Sequence, residues 1–111
     1  MNEPDALLLI VDDDESMRSF LRSAVAKEGW AAVEAKDGVQ ALDTLQEGFE
    51  PDVILLDLMM PRMDGFAVIE RLHADPRYCD TPIVVVTASD LGAAEREALA
   101  QRTSAVVLKG Q

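Results

Sequence analysis

Four short apolar runs in this chain are each followed at once by a residue that can do chemistry. Leu7 to Val11 is followed by Asp12, Asp13 and Asp14, Val53 to Leu56 by Asp57, Ile83 to Val86 by Thr87, and Ala105 to Leu108 by Lys109. If a fold gathers these residues along one edge, carboxylates share a site with an ammonium and a hydroxyl. Clustered carboxylates repel one another and raise the free energy of a metal-free site. A hard divalent cation relieves that repulsion, and an all-oxygen donor set suits Mg²⁺. Such a set is suited to phosphoryl transfer, where catalysis is mostly positioning and charge neutralisation. A carboxylate can accept the phosphoryl group as an aspartyl phosphate while the lysine and the hydroxyl hold its oxygens.

Taken singly, each of these residues has an ordinary explanation. An aspartate after a strand is more often the N-cap of the next helix, a threonine there is a β-former, and a late lysine is solvated. Asp14, Asp37, Asp64 and Asp90 are read as such caps. The joint placement of Asp12, Asp13, Asp57, Thr87 and Lys109 favours a site.

The elements that must position them are legible from periodicity. The runs from Leu7, Val53 and Ile83 are apolar on both alternating faces, as in strands buried on both sides; Ala31 to Ala35 and Ala105 to Leu108 are weaker strands. Between them lie helical patterns. Met17, Phe20, Leu21, Ala24 and Val25 make one apolar stripe, with Gly29 placed to end that helix. Val39, Leu42 and Leu45 mark a second helix within Asp37 to Glu47, and Phe66, Ile69 and Leu72 a third. A weaker, alanine-rich helix runs from Leu91 to about Gln101. The order βαβαβαβαβ predicts a doubly wound parallel sheet with helices on both faces. Ligands bind beyond the carboxyl ends of such strands, which is where the five residues fall.

Composition bounds the function classes. The 111 residues suit a single domain spanning the whole chain, and 49% apolar content is enough for a core. A net charge of −11 argues against nucleic-acid phosphates and anionic membranes as partners. The longest apolar run is too short to cross a bilayer. The single cysteine, Cys79, permits no internal disulfide, which fits a reducing cytoplasm, the expected location.

The motif set resembles that of receiver domains of two-component response regulators. It comprises Leu9-Ile10-Val11-Asp12-Asp13-Asp14 with Arg18, Asp57-Leu58-Met59-Met60-Pro61 with Met63-Asp64-Gly65, Val86-Thr87-Ala88, and Leu108-Lys109. Four motifs in order make the resemblance specific, and it covers nearly the whole chain. It implies a flavodoxin-like five-stranded parallel sheet of order 2-1-3-4-5. It also implies that Asp57 is the phosphoacceptor, that Asp13, Asp57 and the backbone carbonyl of Met59 coordinate Mg²⁺ with Asp12 acting through water, and that Thr87 and Lys109 bind the phosphoryl group. The donor is then a phosphohistidine on a histidine kinase or a histidine phosphotransfer domain. The domain assists its own phosphorylation and dephosphorylation rather than serving as an enzyme. The ending Val107-Leu108-Lys109-Gly110-Gln111 resembles the receiver of hybrid sensor kinases, a weaker signal.

The sequence departs from the family pattern in four places. Val106 stands where an aromatic residue often turns inward on activation. Gly110 replaces a proline, so a trans bond is expected there. Arg102 stands where a glycine usually ends the fourth helix, so that turn is expected to be rebuilt. The chain has no fifth helix after Lys109, which would expose apolar surface; a partner segment or a homodimer is one way of covering it.

Two other readings compete. Asp12-x-Asp14 with Ser16, Thr87 and Lys109 resembles the phosphatase superfamily with an aspartate nucleophile in a D-x-D motif, but this leaves Asp57 unexplained. A phosphorylation-dead domain binding only Mg²⁺ would not need Asp57, Thr87 and Lys109 together. His73 is expected at the surface of the third helix and Trp30 at the edge of the second strand. Met59, Met60 and Met63 carry soft thioethers unsuited to Mg²⁺. Nothing in the sequence decides the reactivity of Cys79.

Overall fold

A computed structural model describes residues 5–58, 60, 63–87 and 92–108. The strands are β1 (Leu7–Val11), β2 (Ala31–Ala35), β3 (Val53–Leu56), β4 (Ile83–Thr87) and β5 (Ala105–Leu108). The helices are α1 (Glu15–Ala26), α2 (Gly38–Gln46), α3 (Gly65–Ala74) and α4 (Ala93–Arg102). All strand pairings are parallel and the sheet order is β2-β1-β3-β4-β5, the flavodoxin-like arrangement expected.

Alternation along the strands divides the core between two faces. Leu9 and Val11 of β1, Ile54 and Leu56 of β3, and Ile83 and Val85 of β4 are buried with Ala41, Leu45, Val68, Ile69, Leu72 and Leu99 of α2, α3 and α4. The opposite face carries Leu8 and Ile10, buried with Val25 of α1. Beyond them Leu55, Val84 and Val86 are only half-buried, and Val107 is 48% exposed. Among the described residues only α1 lies on this face, over β1 and β2. The α1 stripe is therefore less buried than its periodicity predicts. Val25 is buried, Met17 and Leu21 are half-buried, Ala24 is exposed, and Phe20 is 67% exposed. The stripe is wider than the strip of sheet beneath it.

Local signals set the helix ends. Asp14 accepts from the amides of Ser16 and Met17, Asp37 from Gln40, and Asp64 from Ala67, so all three cap as expected. Gly29, at φ 84°, closes the turn after α1 in the left-handed region that glycine tolerates. The expected start of α4 differs. Asp90 and Leu91 lie outside the described residues, and the described helix begins at Ala93 with Gly92 in the capping position. Glu95 accepts from the Gly92 amide at 3.2 Å, replacing a capping aspartate with the glutamate half of a capping box. The far end of α4 is rebuilt as Arg102 implied. Thr103 is extended rather than left-handed, with φ −133° and ψ 165°. Its amide and hydroxyl both donate to the Leu99 carbonyl, at 2.8 and 2.7 Å. Trp30 stands just before β2, 38% exposed, as Val33 within the strand is. No described helix is long and apolar enough to cross a membrane.

Candidate functional site

The strand order places β1 and β3 side by side at the centre, in register from Leu8↔Val53 to Val11↔Leu56. The residues that follow both strands therefore emerge together. The Asp57 amide donates to the Val11 carbonyl at 2.9 Å, extending the ladder into the site, and the Asp12 amide donates to Ala35 at 3.1 Å. Asp12 and Asp57 are buried and Asp13 is exposed. Carboxylate oxygens of the three lie within 4.8 Å of one another. Three hard oxygens so close, two of them on buried residues, match what a small divalent cation requires, so the donor set fits Mg²⁺.

The structure separates the three consecutive aspartates by role. Asp12 turns inward and its Oδ1 accepts from the Asp14 amide at 2.9 Å. Asp14 is exposed, its carboxylate committed to the first turn of α1, and it is not in the cluster. A D-x-D reading that needs Asp14 in the site loses that residue to capping.

Arg18 braces this corner. Its Nη1 donates to the main-chain oxygen of Asp12 at 2.7 Å and its Nε pairs with Glu34 at 3.1 Å. Arg22 reaches the other oxygen of Glu34 at 2.9 Å. Glu34 lies on β2, opposite Ile10 in register, so the bridge joins α1, β2 and the end of β1.

Thr87 ends β4, two residues beyond the Leu56↔Val85 pair, and is fully buried. The fold thus brings four of the candidate positions to one sheet edge, on three adjacent strands. The Met59 carbonyl and Lys109 lie outside the described residues, as does Gly110. Val106 pairs with Val85 and packs, half-buried, against the core. His73 lies near the end of α3 and lines a cavity with Cys79, Asp80 and Ser104, well removed from the aspartates along the strands.

Two glycines hold the site: Gly38 played no part in the sequence reading, and Gly65 entered it only within the Met63-Asp64-Gly65 motif. A Cβ on Gly65 would lie 2.6 Å from the Asp57 carbonyl oxygen and 2.7 Å from Leu58 Cα. A Cβ on Gly38 would lie 2.8 Å from the Met63 carbonyl oxygen. Both glycines directly follow a capping aspartate and open a helix, where glycine is about 1 kcal/mol worse than alanine. That pairing, Asp37-Gly38 and Asp64-Gly65, was the available signal of close packing.

The family model described as "Response regulator receiver domain" matches residues 8–111. Response regulator MprA of Mycobacterium tuberculosis (strain ATCC 25177 / H37Ra) is 42% identical over 83 residues, covering 75% of this chain and 35% of that protein. The chain thus spans about a third of the length of the curated relatives it matches. Among solved structures, the N-terminal domain of a response regulator receiver protein from Methanoculleus marisnigri JR1 superposes with a TM-score of 0.87 at 29% identity, covering 96% of this chain and 86% of that one. Chemotaxis response regulator CheY4 of Vibrio cholerae gives 0.85 at 29% identity, covering 96% and 88%.

Proposed function

The chain belongs to the response regulator receiver domain family, and on that footing we propose that it is the phosphoacceptor module of a two-component phosphorelay, with Asp57 as the acceptor. The observation that carries this reading is the buried Asp57, at the end of a central strand, with its carboxylate in one cluster with Asp12 and Asp13.

The partner is a histidine kinase or a histidine phosphotransfer domain carrying a phosphohistidine. A carboxylate oxygen of Asp57 forms a new P–O bond as the P–N bond of the phosphohistidine breaks, and the electron pair leaves with the imidazole nitrogen. Asp13, Asp57 and the Met59 carbonyl, with Asp12 through water, would hold Mg²⁺, which when bound would supply positive charge to offset that of the phosphoryl oxygens. Asp12 and Asp13 supply the carboxylates of that metal site, and Arg18 fixes the main chain from which Asp12 projects. Thr87 donates its hydroxyl to one phosphoryl oxygen and Lys109 pairs with another. Water then attacks phosphorus, the Asp57 O–P bond breaks, and inorganic phosphate leaves with the carboxylate restored. The domain therefore assists both its own loading and its own unloading, as a cytoplasmic switch or relay rather than an enzyme acting on a separate substrate.

Incubation with a small acyl phosphate and Mg²⁺ tests this. A mass increase of one phosphoryl group that requires Mg²⁺, and that disappears in Asp57→Asn, is expected. Unchanged labelling in Asp57→Asn, or labelling indifferent to a chelator, would remove the proposal.

A further inference from the structure

We propose that Gly38, on a helix that supplies no ligand, is a positioning residue for the acceptor Asp57. The inference rests on the reading of Asp57 as the phosphoacceptor.

The connection runs through two close approaches in series. Gly38 is the buried first residue of α2. A Cβ there would sit 2.7 Å from Val68 Cγ2, 2.8 Å from the Met63 carbonyl oxygen and 2.9 Å from Met63 Cβ. None of these is the free end of a flexible chain. Val68 is buried and β-branched, so its rotamer is stiff, and the Met63 oxygen is backbone. Met63 stands two residues before Gly65, where α3 begins. The Gly65 amide donates to the Leu58 carbonyl at 2.9 Å, and its Cα side faces the Asp57 carbonyl too closely for a Cβ. The start of α3 is thus held between α2 and the main chain of Asp57 and Leu58. An added methyl at position 38 forces either the start of α3 or α2 itself to move. Ala41 and Leu45, buried in the core against the sheet and α3, hold α2 in place. The displacement therefore passes to Met63, Gly65 and the backbone that carries the Asp57 carboxylate.

Gly48 supplies the control. It needs glycine for a different reason, a φ of 108°, and a Cβ there meets nothing within 4 Å. Gly48→Ala strains the fold without pushing on the site.

The test compares wild type, Gly38→Ala and Gly48→Ala with a small acyl phosphate and saturating Mg²⁺. Gly38→Ala should slow phosphorylation of Asp57 on the order of tenfold, the usual scale for misplacing a supported group, and should shift the Asp57 and Gly65 amide resonances. Gly48→Ala should melt at a lower temperature and react at the wild-type rate. A second measurement does not depend on any variant folding. In wild type, the Gly38 and Met63 amides should respond to Mg²⁺ with the same midpoint as Asp57. A wild-type rate in Gly38→Ala, a loss no larger than in Gly48→Ala, or a Gly38 amide silent to Mg²⁺ would each overturn the inference while leaving the acceptor assignment intact. Wild type that is not phosphorylated on Asp57 would remove both.

Discussion

Arg18 donates to the main-chain oxygen of Asp12 at 2.7 Å, so a cation on α1 holds the backbone of the first carboxylate in the acidic cluster. The side chain is 14% exposed and also pairs with Glu34. A hydrogen bond from a charged group to a carbonyl in such a position contributes about 1.5–3 kcal/mol. Arg18→Met keeps the apolar stem and removes the donors. Urea denaturation should show a loss of about that size, and Mg²⁺ binding should weaken because the Asp12 main chain is no longer fixed. Unchanged Mg²⁺ affinity in a destabilised variant would reduce Arg18 to a purely structural brace.

The carboxylate cluster predicts a metal-dependent stability. A Mg²⁺ ion that binds the folded cluster and not the dispersed aspartates of the unfolded chain should, at a hundred times its Kd, add about 2.7 kcal/mol. Asp13→Asn should shrink that increment. In the absence of Mg²⁺ the same variant should be more stable than wild type, because one of three like charges is gone. Thermal melts with and without millimolar Mg²⁺ read both effects. A wild-type melting temperature indifferent to Mg²⁺ would count against the site.

Much of this was legible in the sequence, for identifiable reasons. Strand runs such as Leu7 to Val11 and Val53 to Leu56 each stop at an aspartate, so their carboxyl ends are sharp, and they match the observed strands. Asp14, Asp37 and Asp64 cap because a short carboxylate before an apolar periodicity has few other uses. Phe20 was misread because periodicity reports that a residue could be buried, not that a sheet lies opposite it. Gly92 replaced Asp90 as the described cap because Glu95 three residues later supplies the bond. Gly65 was visible as part of a motif, but the role of Gly38 was hidden because its close approach to Met63 and Val68 joins elements far apart in sequence.

The half-covered sheet face predicts self-association. Val107, paired with half-buried Val86, is 48% exposed, Leu55 and Val84 are half-buried, and Phe20 of α1 is 67% exposed. Contiguous apolar surface of this kind seeks cover. The 111-residue chain should dimerise with rising concentration in sedimentation velocity, and Val107→Glu should shift it toward monomer. Extending the chain with a helix-forming segment should raise the melting temperature. A monomer at all concentrations that also melts at high temperature would contradict the prediction.

Val106 predicts a local switch. On the proposed function, phosphorylation would bring charge and strong acceptor oxygens to Asp57 and should draw in Thr87 and Lys109. A ligand shifts only states that it distinguishes. Val106, packed against the core opposite Val85, has no polar tip to exchange between exposed and buried positions. With beryllofluoride, amide shifts should be large near Asp57 and Thr87 and small at Val106 and along α4. Equal shifts across residues 92–108 would show that the surface change propagates by backbone motion instead.

The central claim is that Asp57 accepts the phosphoryl group, and its most direct measurement is the position of the phosphate. Borohydride reduction of the acyl phosphate formed with a small donor and Mg²⁺, followed by peptide mass spectrometry, marks the modified residue. The label should fall on Asp57 alone and be unaffected by Asp14→Asn. A label on Asp12 would establish instead an aspartate nucleophile at the end of β1 and contradict the account.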